Sequence, residues 1–185
     1  MSNAFWADVR RCARKEQLEG RFARLLTTNY GLQALLAYRL GRWLLGARHR
    51  YYLWPALALC WPLYYLLSRY THVVYDIRLE LSADIGPGLY IGHFGAIRVR
   101  RCRIGANCSI GRLTDITPTA QGPGPVIGDS VWIGAHVRIV GNYRVGCGAT
   151  VAAGAVVRQD VPDAALYLGN PAHVLMRGYD NRNIL

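Results

Sequence analysis

One histidine stands in the stretch GLYIGHFGAIRV, residues 88–99, whose other positions are mainly glycine and aliphatic. His93 is a candidate general base, because a neutral imidazole, with an ordinary pKa of about 6.5, can remove a proton from a hydroxyl group near pH 7. The sequence has no G-x-S-x-G elbow, and no cysteine lies beside a histidine, so nothing indicates a covalent enzyme intermediate. We also predict no metal site, because metal-ligand spacing is absent among the remaining histidines: His49, His72, His136 and His173.

Composition describes a folded, basic protein. The 185 residues are 52% hydrophobic and carry a net charge of +11, enough chain for one domain with an appendage. Residues 1–80 hold twelve Arg or Lys against five Asp or Glu, so the basic excess lies mainly in the N-terminal part, where anionic lipid or nucleic acid could meet it. Nucleic acid is disfavoured, because the aromatic residues cluster in an uncharged segment instead of alternating with cations.

The cysteines and the N-terminal residues indicate a cytoplasmic protein. The five cysteines form no CxxC pair and no small secreted framework, which favours free thiols in a reducing compartment. The first residues, MSNAFWADVRRCARKEQ, are too polar for a secretory signal.

Residues 1–70 have the pattern of helices, with one uncharged run from Tyr51 to Ser68. Pro55 and Pro62 interrupt this run and it is rich in Tyr and Trp, which suits a membrane interface better than a clean transmembrane helix. Packing in an oligomer core is the alternative. We expect interfacial association with the inner face of the cytoplasmic membrane, with arginines near the headgroups: Arg48, Arg50 and Arg69.

From about residue 73 an aliphatic residue recurs every six positions, with two interruptions. Neither a helix, with a period of about 3.6, nor a flat strand, with a period of 2, explains this spacing. One inward aliphatic on each short strand is typical of a parallel β-helix with three strands per coil. The positions in this register are Val73, Leu79, Ile85, Ile91, Ile97, Ile104, Ile110, Ile116, Ile127, Ile133, Ile139, Val145, Val151 and Val157.

Four segments carry a family resemblance: IGPGLYIGHFG, IGDSVWIGAHVRIVGN, GATVAAGAVVRQDVPD and LYLGNPAHVL. Together they resemble the hexapeptide-repeat acyltransferases, in the serine acetyltransferase branch and its relatives found with exopolysaccharide synthesis. The resemblance covers residues 73–176. It implies a mainly β protein, a left-handed β-helix at 71–176 between a hydrophobic helical region at 1–70 and a tail at 177–185. It also implies a homotrimer that transfers acetyl groups from acetyl-CoA at clefts between subunits.

The resemblance assigns His93 as the general base that deprotonates the acceptor hydroxyl. In the family an acid in the preceding coil orients this imidazole, but Arg78 stands at the matching position. Asp76 or Glu80, which alternate onto the same face of an extended strand, could replace the acid, as could a backbone carbonyl.

The resemblance also implies how acetyl-CoA is bound. Main-chain groups at Ala135 and Ala153, in the family's IGA and GAG turns, would hold pantetheine. Arg158, just before QDVP, would bind the nucleotide phosphates, with Arg177 as the next candidate.

The chain departs from the family at the acceptor. Gly92 stands where serine enzymes have an acid, and the loop TPTAQGPGP, residues 117–125, lacks their Arg-His pair. No cation occurs from 113 to 135, so an amino-acid carboxylate has no evident partner there. We therefore predict a sugar hydroxyl of a polysaccharide or its lipid-linked precursor, with Asp115 helping to hold it. L-serine is the alternative acceptor, and a non-catalytic scaffold is the second alternative.

Overall fold

The computed structural model describes residues 2–18, 22–47, 54–92, 95–120 and 122–185. An N-terminal helical region precedes a left-handed parallel β-helix, which confirms the predicted fold class. The helices are α1 (Ser2–Lys15), α2 (Phe22–Thr28), α3 (Tyr30–Ala47) and α4 (Trp54–Tyr75).

Short strands follow one another along the rest of the chain. They are β1 (Ile77–Leu79), β2 (Asp84–Ile85), β3 (Tyr90–Ile91), β4 (Ile97–Val99), β5 (Arg103–Ile104), β6 (Ser109–Ile110), β7 (Asp115–Thr117), β8 (Val126–Ile127), β9 (Trp132–Ile133), β10 (Arg138–Val140), β11 (Arg144–Val145), β12 (Thr150–Val151), β13 (Val156–Val157), β14 (Ala165–Gly169) and β15 (Ala172–Arg177).

Every third strand joins the same sheet, so the coil has three flat sides. The first sheet has the order β1-β4-β7-β10-β13, the second β11-β8-β5-β2 and the third β15-β14-β12-β9-β6-β3. Neighbouring strands are parallel except for β14 and β15, which pair as an antiparallel hairpin at the C-terminal end. Each coil therefore stacks on the previous one at the usual strand spacing of about 4.8 Å.

The predicted aliphatic register forms the core of the β-helix. Its buried members are Ile85, Ile91, Ile97, Ile104, Ile110, Ile116, Ile127, Ile133, Ile139, Val145, Val151 and Val157. Small residues such as Cys108 and Ala149 are fully buried among them. Because one coil exposes this apolar interior at both ends, each coil is stabilised by its neighbours.

The register differs from the prediction at its N-terminal end. Val73 lies in α4 and is exposed, because the helix continues to Tyr75 and this position faces away from the coil. The first coil therefore starts at Ile77. In the next coil Val99, and not Ile97, is in register with Ile116.

The helical region shares its core with the β-helix. Tyr38 of α3 is buried, donates a hydrogen bond to the Ala83 carbonyl at 2.7 Å and accepts one from the Ile85 N–H at 3.2 Å. Gly31 allows α3 to approach the coil closely, since an added Cβ would lie 2.3 Å from the Ile91 carbonyl oxygen. The helices are therefore part of the same folded unit.

Within the described ranges, no helix combines the length and the apolarity needed to cross a bilayer. Helix α4 nevertheless presents exposed large apolar side chains, namely Trp61, Leu63, Tyr65, Leu66, Tyr70, Val73 and Val74.

The close approach at Gly31 can be tested with a second glycine in the same helix. Gly31→Ala should lower the free energy of unfolding by about 1–3 kcal/mol, because the new methyl group overlaps the Ile91 backbone. Gly46→Ala is the matched control. Its added Cβ meets nothing within 4 Å, so it should raise stability by up to about 1 kcal/mol through helix propensity alone. Urea unfolding measures both, and equal stabilities would contradict the tight packing of α3.

Candidate active site

His93 and Phe94 lie outside the described residues, so the site is built from what surrounds them. The N–H of Gly95 donates to the Tyr75 carbonyl at 3.0 Å, and its own carbonyl accepts from the Leu113 N–H at 3.0 Å. These hydrogen bonds join Gly95 to the end of α4 on one side and to the next coil on the other. The Gly95 N–H is therefore engaged and does not serve as a free oxyanion donor.

Successive coils turn from the third sheet into the first at one corner. We call its described residues the candidate corner: 92, 95–96, 111–113, 134–136 and 152–154. The His136 N–H donates to the Arg112 carbonyl at 2.9 Å, and the Gly154 N–H donates to the Ala135 carbonyl at 2.8 Å. His136 turns with a φ of 60° and is exposed. His136 thus stands at the same corner as Gly95, two coils away.

Two glycines allow adjacent coils to pack closely at this corner. A Cβ added to Gly111 would lie 2.7 Å from the Ala135 nitrogen, and one added to Gly134 would lie 2.6 Å from the Ala153 nitrogen. Ala135 and Ala153, the predicted pantetheine-binding residues, are therefore stacked on adjacent coils with their main chains at the surface of the corner. Ala153 is exposed and Ala135 is half-buried.

Asp76 follows α4 directly and lies beside Ile97, at the start of β4. Its carbonyl accepts a hydrogen bond from the Ile97 N–H at 3.1 Å, and its φ is 51°. The carboxylate is partly exposed, with Oδ1 3.5 Å from Arg78 Nε. An exposed pair at this distance contributes little stability, so the carboxylate can interact elsewhere at low cost.

Glu80, the other candidate for the orienting acid, is engaged at the far end of β1. Its carboxylate accepts hydrogen bonds from Arg100 Nε at 2.8 Å and from the Ser82 hydroxyl at 3.0 Å. The structure thus brings Asp76, but not Glu80, next to the candidate corner.

Asp115 lies on the outer face of β7, where its carboxylate accepts a hydrogen bond from the Thr117 hydroxyl. Arg98 and Arg138 are its register partners on the two neighbouring strands, and both are exposed. Neither arginine has an ion pair within 4.0 Å in the described part of the chain. We call Arg98, Asp115 and Arg138 the charged column.

Sequence reasoning missed this column. In each coil the charged residue stands one position before an inward aliphatic, and that residue is Val99 in the coil of Arg98. When Ile97 is taken as the inward residue, Arg98 follows it, and the alignment of Arg98 with Asp115 is not visible in the sequence. The absence of a cation from 113 to 135 along the sequence is therefore offset by cations from adjacent coils.

The two arginines predicted for the nucleotide phosphates lie away from the candidate corner. Arg158 is exposed just beyond β13, on the opposite side of the first sheet. Arg177 ends β15 opposite Ala165, two residues before Tyr167, whose carbonyl accepts a hydrogen bond from the Ala152 N–H at 2.8 Å.

Two cysteines of the β-helix core, Cys102 and Cys108, are buried. Burial raises the pKa of Cys102 to about 12 and that of Cys108 to about 11, which leaves both thiols protonated and unreactive at neutral pH. Among the described residues, no group of three or more His, Cys, Asp or Glu side chains is arranged to hold a metal ion.

Comparison with known proteins relates this architecture to one family. No family model matches the chain. The serine acetyltransferase of Escherichia coli strain K12 is 34% identical over 149 residues, which are 78% of this chain and 50% of that protein. The chain therefore spans about half the length of the curated relatives it matches.

Solved structures extend the likeness to the helices. Soybean serine acetyltransferase complexed with serine has a TM-score of 0.75 at 30% identity, over 93% of this chain and 68% of that chain. The enzyme of Brucella abortus strain S19 has a TM-score of 0.77 at 25% identity, over 95% of this chain and 69% of that chain. The Brucella protein has also been solved in complex with coenzyme A.

Proposed function

We propose that this chain, which belongs to the serine acetyltransferase branch of the hexapeptide-repeat acyltransferases, is an acetyl-CoA-dependent O-acetyltransferase. The observation that carries the proposal is the likeness to soybean serine acetyltransferase along 93% of the chain. Acetyl-CoA is a co-substrate in this reaction, and no metal is required.

His93 acts as the general base. Its neutral imidazole takes the proton of the acceptor hydroxyl while the hydroxyl oxygen attacks the thioester carbonyl carbon. When the tetrahedral adduct collapses, the carbon–sulfur bond breaks, the acetyl ester is released and the imidazolium returns the proton to the departing thiolate of coenzyme A. The reaction thus passes directly between two substrates, without an acyl-enzyme.

A matched pair of histidine variants tests the base. His93→Ala should lower the rate of thiol release from acetyl-CoA by about 10²- to 10⁴-fold, because no other group removes the proton. His136→Ala, at the same corner, should keep near-normal activity. Near-full activity of His93→Ala would refute the assignment, and a wild-type chain that releases no thiol with any acceptor would support a non-catalytic scaffold.

Asp76 is the positioning residue for His93. Its carboxylate would favour the imidazolium and fix the orientation of the ring, a role suggested by the bond between the Asp76 carbonyl and Ile97. Glu80 lacks this placement because Arg100 and Ser82 engage it.

Asp76→Asn should lower kcat by roughly tenfold with KM unchanged. It should also shift the rising limb of the pH–rate profile to lower pH, because a positioning carboxylate raises the pKa of the imidazole and its loss lowers it. Asparagine tolerates the positive φ of this position, so the fold should be retained. Glu80→Gln is the control and should leave the profile in place. Identical profiles for the two variants would assign Asp76 a purely structural role.

L-serine is the acceptor that the comparisons favour over the sugar hydroxyl expected from the sequence. An amino acid needs a cation for its carboxylate and an anion for its ammonium group. The charged column offers both, with Arg98 and Arg138 on either side of Asp115. This column supports serine despite the missing Arg-His pair of the loop.

A sugar hydroxyl is the second candidate, and two observations favour it. Gly92 replaces the acid that serine enzymes carry before the histidine, and the described residues of the loop, 117–120 and 122–125, bear no charge. The Asp115 and Thr117 side chains would then hydrogen-bond to neighbouring hydroxyl groups.

An acceptor panel distinguishes the two candidates. L-serine should be acetylated with kcat/KM of about 10⁴ M⁻¹s⁻¹ or above. The double variant Arg98→Ala/Arg138→Ala should lose at least about tenfold in kcat/KM, mainly through KM, because the carboxylate loses its charged donors. With L-serinamide, which has no carboxylate, the same variant should lose little. Saturable transfer to saccharides with none to L-serine would overturn the serine assignment.

A homotrimer would complete the acetyl-CoA site. Arg158 and Arg177 lie outside the candidate corner of their own chain. In a cleft between subunits, the Ala135 and Ala153 main chains of one copy would hold pantetheine while arginines of the next bind phosphates.

Association with the inner face of the cytoplasmic membrane is part of the proposal for the segment from Tyr51 to Ser68. Support comes from the exposed apolar side chains of α4 and the exposed Arg69 beside them. Arg48 and Arg50 lie outside the described residues. Packing of α4 against another copy of the chain is the competing use of the same face.

A further inference from the structure

A strongly basic pocket lies between α1 and the C-terminal residues, at a corner of the β-helix different from the candidate corner. It encloses about 650 Å³, and among the described residues no acidic side chain lines it. The cationic residues that line it are Arg10, Arg11, Arg14, Lys15 and Arg182. The acetyl-transfer proposal uses none of these residues.

Buried charge fixes α1 against the coil. Asp8 is fully buried and accepts hydrogen bonds from Arg39 Nε at 2.9 Å and from the N–H groups of Gly88 and Leu89 at 2.7 and 3.0 Å. One turn later, Arg11 donates to the Gly88 carbonyl at 2.6 Å. The basic pocket is therefore presented on a rigid support.

Two cations of the pocket, Arg11 and Lys15, donate hydrogen bonds to the carbonyl oxygens of Leu185 and Ile184, at 3.2 and 2.9 Å. Neither Arg10 nor Arg14 has an ion pair within 4.0 Å in the described ranges, whereas Arg182 is paired with Asp180 at 2.7 Å. Burial and the charge of Arg11 lower the pKa of Lys15 below its ordinary value. A bound anion would relieve this repulsion.

A second, apolar pocket adjoins the basic one and shares Arg10 and Arg14 with it. It encloses about 350 Å³ between α1 and α2. Trp6 is 50% exposed and Phe22 is 40% exposed, with ring centroids 5.9 Å apart. The other apolar residues that line it are Val9, Ala13, Leu18 and Leu25.

We propose that α1 docks on an anionic phospholipid surface, with a lipid phosphate in the basic pocket and Trp6 and Phe22 against the acyl chains. The charge of the first pocket matches a phosphate, and the adjoining apolar pocket matches the hydrocarbon that is attached to it. Arg10 and Arg14 stand between the two, where an amphiphile changes from polar to apolar. A free phosphate would leave the apolar pocket empty, and a nucleic acid would not fill it.

Vesicle flotation of the full-length protein tests this surface, with phosphatidylcholine vesicles alone or with phosphatidylglycerol added. The wild type should bind the anionic vesicles, more weakly as salt rises. Arg10→Ala/Arg14→Ala should lower this affinity by about tenfold or more. Arg103→Ala/Arg144→Ala removes the same charge from the second sheet and should bind normally. Trp6→Ser should bind several-fold more weakly at every salt concentration.

Other occupants give different results, each of which would overturn the proposal. Equal binding of the two double variants would show unspecific attraction by net charge. Binding of inorganic phosphate without binding of vesicles would identify a soluble anion site. A change of oligomeric state in Arg10→Ala/Arg14→Ala, measured by light scattering, would identify a second copy as the partner. Loss of vesicle binding in Leu66→Ser, with full binding kept by Arg10→Ala/Arg14→Ala and by Trp6→Ser, would show that α4 docks without α1.

Separate variants test membrane docking and acetyl transfer. Arg10→Ala/Arg14→Ala should acetylate a soluble acceptor at the wild-type rate, because α1 contributes no side chain to the candidate corner. His93→Ala should bind anionic vesicles as the wild type does.

Discussion

Main-chain hydrogen bonds between successive coils determine which residues of this protein can act together. They run from Leu113 to Gly95, from His136 to Arg112 and from Gly154 to Ala135, and they hold the corner of each coil directly over the next. The close contacts at Gly111 and Gly134 leave no room for a side chain at either position. Residues far apart in sequence thereby become neighbours about 4.8 Å apart along the axis.

The helices depend on the same coils. Asp8 would be costly to bury as a charge, and burial raises its pKa, but the Arg39 guanidinium and the N–H groups of Gly88 and Leu89 oppose that rise. These partners come from α3 and from the turn before β3, so the carboxylate joins both helices to the β-helix. The coil thus orders the helices, and the end of α4 in turn delivers Asp76 to the candidate corner.

Periodicity predicted the coil because one inward aliphatic per strand is a local, repeated requirement. It failed where two periodic patterns meet, as at Val73, whose helix continues past the expected boundary. Ala135 and Ala153 were assigned through the family resemblance alone. The pairing of Asp8 with Arg39 could not be predicted, since nothing local links residues so distant. The charged column was obscured for a related reason, because Ile97 and Val99 both point inward and the sequence alone does not say which continues the register.

That ambiguity changes the argument about the acceptor. The loop of residues 117–125 has no cation, so the sequence of the loop offers no partner for the carboxylate of a substrate. In a β-helix, however, neighbouring residues come from adjacent coils. The strands on either side of Asp115 each contribute an arginine. Charges that are absent from the loop are therefore present on the neighbouring strands. Specificity in such a fold should be judged from the column, because stacking, and not sequence proximity, sets the distances at which charges interact.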